Sequence, residues 1–163
     1  MSHTYISSFI KTITGITTGK IQFKRDEINK TVQMLDGHRF TIFRHVTKKT
    51  KNQKGQKPAV LCLRFHIKGM SPERNIKFSL LTMFFILGLP GLREKYWMIN
   101  RRNGDFQGLY EWSSVDTANQ YINSFAMDFI NKRSIPGSVS YEIIPEIGLK
   151  DHLSHLIYDN TVR

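Results

Sequence analysis

"GLPGLREKYWMINRRNGDFQGLYEWSSVDTANQYI", residues 88–122, sets two aromatic-rich runs between three punctuation points. Pro90-Gly91 opens the stretch, Asn103-Gly104 divides it and Ser113-Ser114 begins a new pattern. Asn-Gly between apolar runs is a hairpin signal, because both residues tolerate the positive φ of a tight turn. The stretch predicts a strand over 92–101, a tight turn at Asn103-Gly104 and a returning strand over 105–112. Ser113-x-x-Asp116 has the form of a capping box and predicts a helix starting at Ser113 or Ser114. Ala118, Tyr121, Ile122, Phe125 and Phe129 recur along one face of that helix.

The flanks complete the pattern. Upstream, "AVLCLRFHIKG" from Ala59 alternates: Leu61, Leu63, Phe65 and Ile67 on one side, Cys62, Arg64 and His66 on the other. Ser71-Pro72 then gives an N-cap and a proline at the first helical position, and Gly88 with Pro90 stops the helix near Leu87. Downstream, Ile135-Pro136-Gly137 ends the second helix, "SVSYEII" reads as a last strand, and residues 149–157 carry a short helical pattern. The order β-α-β-β-α-β predicts an α+β, ferredoxin-like domain at 59–157, with both helices on one face of four antiparallel strands. Residues 158–163 are read as a tail.

Residues 1–58 hold twelve Lys and Arg against three Asp and Glu, so most of the formal charge of +11 sits there. Residues 5–21 fit helix or strand. Asp36-Gly37, between runs containing Val32, Met34, Phe40, Ile42 and Phe43, predicts a β-hairpin. Residues 47–58 carry five lysines and no large apolar side chain, which predicts an exposed loop or linker. Such a basic extension suits a solvated arm, and also nucleic acid or an anionic membrane surface.

At 163 residues and 40% hydrophobic content, the chain is one domain with an appendage. The lone Cys62 rules out a disulfide within the chain and fits a reducing compartment. With no signal-peptide pattern and no apolar run of the roughly 20 residues needed to span a bilayer, the expectation is a cytoplasmic protein.

Both faces of the predicted hairpin carry apolar side chains, so the face away from the helices needs a cover. RNA is a poor candidate: residues 105–112, "DFQGLYEW", lack the basic residue and paired glycines of an RNA-recognition strand, and Asp105 and Glu111 would repel phosphate. A second copy of the sheet is the other candidate. Residues 59–157 resemble the dimeric α/β-barrel superfamily that includes the antibiotic-biosynthesis monooxygenases, especially its small mono-oxygenase branch in enteric bacteria. The resemblance rests on Leu61-x-Leu63-x-Phe65 ending in Gly69, on Pro90-Gly91-Leu92 leading into an aromatic strand, and on "GLYEW" at 108–112 running into the Ala118/Tyr121 helix. It implies a homodimer with stacked sheets, and in each subunit a cavity between sheet and helices. Phe40, Ile42 and Phe43 folding back over the open face would instead leave a monomer.

The resemblance further implies a monooxygenase-like protein acting on a small aromatic or lipophilic molecule without a cofactor; the alternative is a non-catalytic ligand- or protein-binding module. Cofactor-free oxygenation needs a dry apolar pocket and a group that deprotonates or orients the substrate. By residue type the candidates are Arg64, His66, Tyr96, Trp97, Tyr110 and Trp112. His66 suits a base and is also the best-placed histidine for haem, which the superfamily allows. No metal site is expected: His152 and His155 stand beside Asp151 without any further ligand motif and read as a solvent-facing helix turn.

Overall fold

A computed structural model of the chain describes residues 2–50 and 55–159. In chain order the elements are α1 (Ser2–Thr17), β1 (Ile21–Lys24), β2 (Thr31–Gln33), β3 (Arg39–Lys48), β4 (Ala59–Phe65), α2 (Pro72–Leu87) and β5 (Leu92–Ile99). They continue with β6 (Phe106–Trp112), α3 (Val115–Ile122), α4 (Phe125–Arg133), β7 (Ser140–Pro145), α5 (Leu149–Ser154) and β8 (Ile157–Asp159).

Strands β7-β4-β6-β5 are antiparallel neighbours in that order, the strand order of a ferredoxin-like sheet. Local chemistry fixes the connections. Ser71 caps α2 by accepting from the Arg74 N–H, and Pro72 sits in the first turn, where no N–H is needed. The β5–β6 connection is wider than a two-residue turn. Asn100 Oδ1 accepts from Arg102 N–H, Asn103 Oδ1 accepts from Asp105 N–H, and Asn100 N–H closes on Asp105 O at 2.8 Å. Two asparagine side chains thus hold a loop where the sequence suggested a tight turn.

The capping box is built from Ser114 and Thr117 rather than Ser113 and Asp116. The helix expected to run on through Phe129 is broken at Asn123-Ser124: Ser124 Oγ donates to Tyr121 O at 2.6 Å, and α4 restarts with Ser124 as its N-cap.

The sheet continues beyond β5. β3 pairs antiparallel with β5, then β2 with β3 and β8 with β2, while β1 pairs the far end of β3. Residues 21–48 are therefore strands of the same sheet. Residues 51–54 of the lysine-rich connection and 160–163 of the tail lie outside the described residues, and Ile157–Asp159 form β8. The sheet curls enough for Asp36, at the β2–β3 turn, to accept a 2.6 Å ion-paired hydrogen bond from Arg64 on β4.

That curl covers the second face from within the chain. Val32, Met34, Phe40, Ile42, Val60, Tyr96, Met98 and Leu109 form one core with Leu149, Leu153 and Leu156 from the α5 region. Met98 and Leu109 are fully buried by this chain itself, which removes the exposed apolar area that motivated stacking two copies on this face. Glu111, on the same face, holds α5 in place by accepting the Leu149 N–H at 2.7 Å.

On the helix-covered face, α1 lies along α2 at very close range. A Cβ on Gly88 would overlap the backbone oxygen of Ser8. Gly88→Ala is therefore expected to displace α1 and cost about 1–3 kcal/mol, read as a lowered urea midpoint.

Candidate functional site

Alternation on β5 and β6 decides what meets the helices. Lys95 and Trp97 on β5, and Phe106, Gly108 and Tyr110 on β6, form the floor of a cavity of about 320 Å³. Phe78 and Phe85 of α2, Tyr121 of α3 and Phe129 of α4 help to roof it. No lining residue is an aspartate or glutamate. Gly108 is small for a local reason: a Cβ there would lie 2.5 Å from Tyr110 Cε2, so its absence lets the Tyr110 ring lie over the strand.

Lys95 is the charged residue of this largely apolar lining, which also holds Asn75, Ser79, Thr82 and Gln107. It is only 2% exposed. Its Nζ sits 4.2 Å from the Trp97 ring centroid and 4.1 Å from that of Tyr110. Two aromatic faces solvate its charge partially, by cation–π attraction, where water or a carboxylate would do so fully. Burial, and then the nearby Arg44 charge, push its pKa well below the usual lysine value. Arg44 is itself buried; Nη1 donates to Ser79 Oγ at 3.0 Å, and burial lowers its pKa to about 10.

Tyr110, one of Lys95's two ring partners, meets a second phenol. Tyr110 and Tyr121 hydroxyls are 3.3 Å apart, and Trp112 stacks on Tyr121 with ring centroids 5.3 Å apart. Burial pushes both phenols up, Tyr121 to about 12, so both stay protonated at neutral pH; one hydroxyl donates to the other, which leaves one proton free for a ligand oxygen.

The six residues singled out by type fall in different places. Trp97 and Tyr110 line the cavity. Trp112 is buried beside Tyr110 and Tyr121, outside the lining, and its Nε1 finds no hydrogen-bond partner among the described residues. Tyr96 faces the other side, stacked on His45 with centroids 3.8 Å apart. Arg64 shares that side, bound to Asp36 and to Gln107 Oε1 at 2.9 Å. His66, past the end of β4, pairs with Asp105 at 2.8 Å and does not line the cavity.

Lys95 was missed because lysine on a strand reads as solvent-facing. Its parity with Trp97 was the available signal. His152 also departs from expectation. It is buried, with Nε2 3.7 Å from Cys62 Sγ, while His155 turns outward to Asp151 O. Among the described residues no three His, Cys, Asp or Glu side chains gather as a metal site.

No protein-family model matches the sequence, and no curated protein matches it. Solved structures do. A ferredoxin-fold protein related to antibiotic-biosynthesis monooxygenases, from Listeria monocytogenes 4b F2365, aligns over 79% of this chain and 93% of its own, at 10% identity and TM-score 0.51. A heme-degrading enzyme from Listeria monocytogenes aligns over 83% of this chain and 92% of its own, at 11% identity and TM-score 0.50. The chain has a ferredoxin-like fold, as the first of these proteins does. At such identities the likeness is one of architecture, and chemistry has to be argued from the cavity.

Lys95→Met keeps the stem of the side chain and removes the charge. At neutral pH it is expected to raise stability by roughly 0.5–2 kcal/mol, seen as a higher urea midpoint. The gain should shrink as pH rises towards 10.5, the ordinary lysine value. The unfolded chain binds the Lys95 proton up to that pH and the folded chain releases it earlier. The penalty on the native protein is thus full at low pH and vanishes at high pH.

Proposed function

We propose that the protein is a monooxygenase-like enzyme whose cavity takes a small aromatic or lipophilic molecule carrying an acidic O–H or C–H. The observation that carries this reading is the Lys95 amine, buried in an apolar cavity that has no carboxylate in its lining. A lysine disfavoured as the cation is available as a general base, and after taking a proton it becomes the cation beside the new anion. The Tyr110–Tyr121 pair has one hydroxyl proton left to donate to a ring oxygen. Trp97, Phe106 and Phe129 offer ring faces and exclude water.

With an activated ring methylene as substrate, deprotonation gives a carbanion that can reduce O₂ directly. One oxygen atom ends in the product carbonyl and the other leaves as water with the two methylene hydrogens. The substrate supplies all four electrons, so the balance needs no further reductant.

The heme-degrading neighbour raises haem as a ligand for this fold. The residues present do not suit it. The cavity lining contains no histidine, cysteine or methionine, and its two phenols are hydrogen-bonded to one another and hard to ionise.

The reading is tested with anthrone, whose methylene lies between aromatic rings, in an oxygen electrode and by tryptophan fluorescence. Quenching of Trp97 on titration, together with oxygen uptake that falls at least about 100-fold in Lys95→Met, is the expected result. Activity should rise with pH as Lys95 loses its proton. Quenching without oxygen uptake would leave a ligand-binding module in place of an enzyme. Neither signal would remove both.

A further inference from the structure

Helix α1 is amphipathic in the reverse sense of a helix seated on a water-soluble core. Its inward side is small and polar. Ser8 and Thr12 are buried; Ser8 Oγ donates to Phe85 O, and Thr12 Oγ1 donates to Phe84 O at 2.6 Å. Its outward side is apolar: Ile6, Phe9, Ile10 and Ile13 follow i, i+3, i+4, i+7 spacing and are 36–56% exposed. On α2, Leu80 and Leu81 are exposed too. The Phe9 ring lies 5.7 Å from Phe84 and 6.0 Å from Phe85, and Phe85 lines the cavity along with exposed Leu81 and Phe125. Apolar surface thus leads from α1 over Phe9 and Phe85 to the edge of the cavity.

The charge on α1 and on the turn and strand that follow it has one sign. No acidic residue precedes Asp26, whereas Lys11, Lys20, Lys24 and Arg25 do. Lys11 is exposed on α1. It is close enough to Lys48 that its charge, after burial, helps to lower the Lys48 amine to about 8.

From this geometry we infer that the α1 face docks on an anionic lipid bilayer, with Ile6, Phe9, Ile10 and Ile13 among the acyl chains and the neighbouring lysines at the headgroups. Small polar residues between helices and large apolar ones outward is the arrangement of helices that face lipid. A basic flank is what an anionic leaflet attracts. No helix among the described residues is long and apolar enough to cross a membrane, so the contact drawn here is peripheral. A second copy suits the patch less well. A two-fold contact would bring Lys11 and its basic neighbours against their own kind, with no acidic side chain in α1 to pair them. Docked this way, the cavity edge at Leu81 and Phe125 lies towards the lipid, a direct route for a lipophilic ligand.

The experiment is co-sedimentation of the full chain with phosphatidylcholine vesicles, with and without phosphatidylglycerol. Binding is expected only with phosphatidylglycerol, weakened roughly tenfold in high salt. The Ile6→Asp/Ile10→Asp variant should lose at least about tenfold in affinity. Its urea midpoint should not change, because both side chains point into solvent. Absence of binding to anionic vesicles by the folded protein overturns the inference, as does unchanged binding by the double variant. Sedimentation equilibrium supplies the rival outcome: a dimer of the 19.0 kDa chain that Ile10→Asp dissociates makes the face a self-interface and overturns the lipid reading.

Discussion

The β5–β6 hairpin is buried on both faces, and most of the architecture follows from that one requirement. Lys95 through Ile99 and Phe106 through Tyr110 are all buried, with side chains alternating between the two sides of the sheet. An antiparallel sheet can leave one face to water only if alternate residues are polar. Here Trp97 and Tyr110 demand a cover on one side, and Tyr96, Met98 and Leu109 on the other. The chain meets the first demand with α2, α3 and α4. It meets the second by curling the sheet through β3, β2 and β8 and laying α5 across the far side.

The cavity is a consequence of how the first cover is made. Floor and roof are both aromatic, with Tyr110 meeting Tyr121 at a 41° tilt, and large rigid rings do not fill space as branched aliphatics do. A lysine in that space is costly to the fold. Nothing in packing calls for it, since a methionine would fill the same volume without a buried amine. A charge held at such a cost in a largely apolar pocket is the feature on which the proposed general base rests.

Much of the fold was legible because it rests on local signals. Ser71-Pro72, Gly88 with Pro90, and the Ser113-Ser114 pair bracket the elements that they were expected to bracket, since caps and breakers act within a turn of their own position. The break at Asn123-Ser124 was hidden because Ile122, Phe125 and Phe129 keep helical spacing across it. The residues that cover the second face were hidden for a different reason. Phe40 and Ile42 were a foreseen cover for that face, but nothing local in Val32 or Leu149 says that they join it, and only the long-range curl of the sheet brings them together. The site was legible in part by the same logic. Trp97 and Tyr110 stood out as aromatics, whereas Lys95 is marked only by its place in the alternation, and Arg64 and Tyr96 fall on the opposite face for want of one residue of register.

Helix α1 shows the same economy of cause. Its seat on α2 is set by close approach: Gly88 has no side chain because the Ser8 backbone occupies that space, and Thr12 reaches a carbonyl of α2 directly. Rotating α1 to bury Ile6, Ile10 and Ile13 would push large branched side chains into the space where Ser8 and Thr12 meet Gly88 and the α2 backbone. The outward apolar face is therefore fixed by the packing that anchors the helix, not left over from loose docking. A helix so anchored presents its isoleucines as a rigid surface, and rigidity lowers the ordering cost of whatever that surface meets.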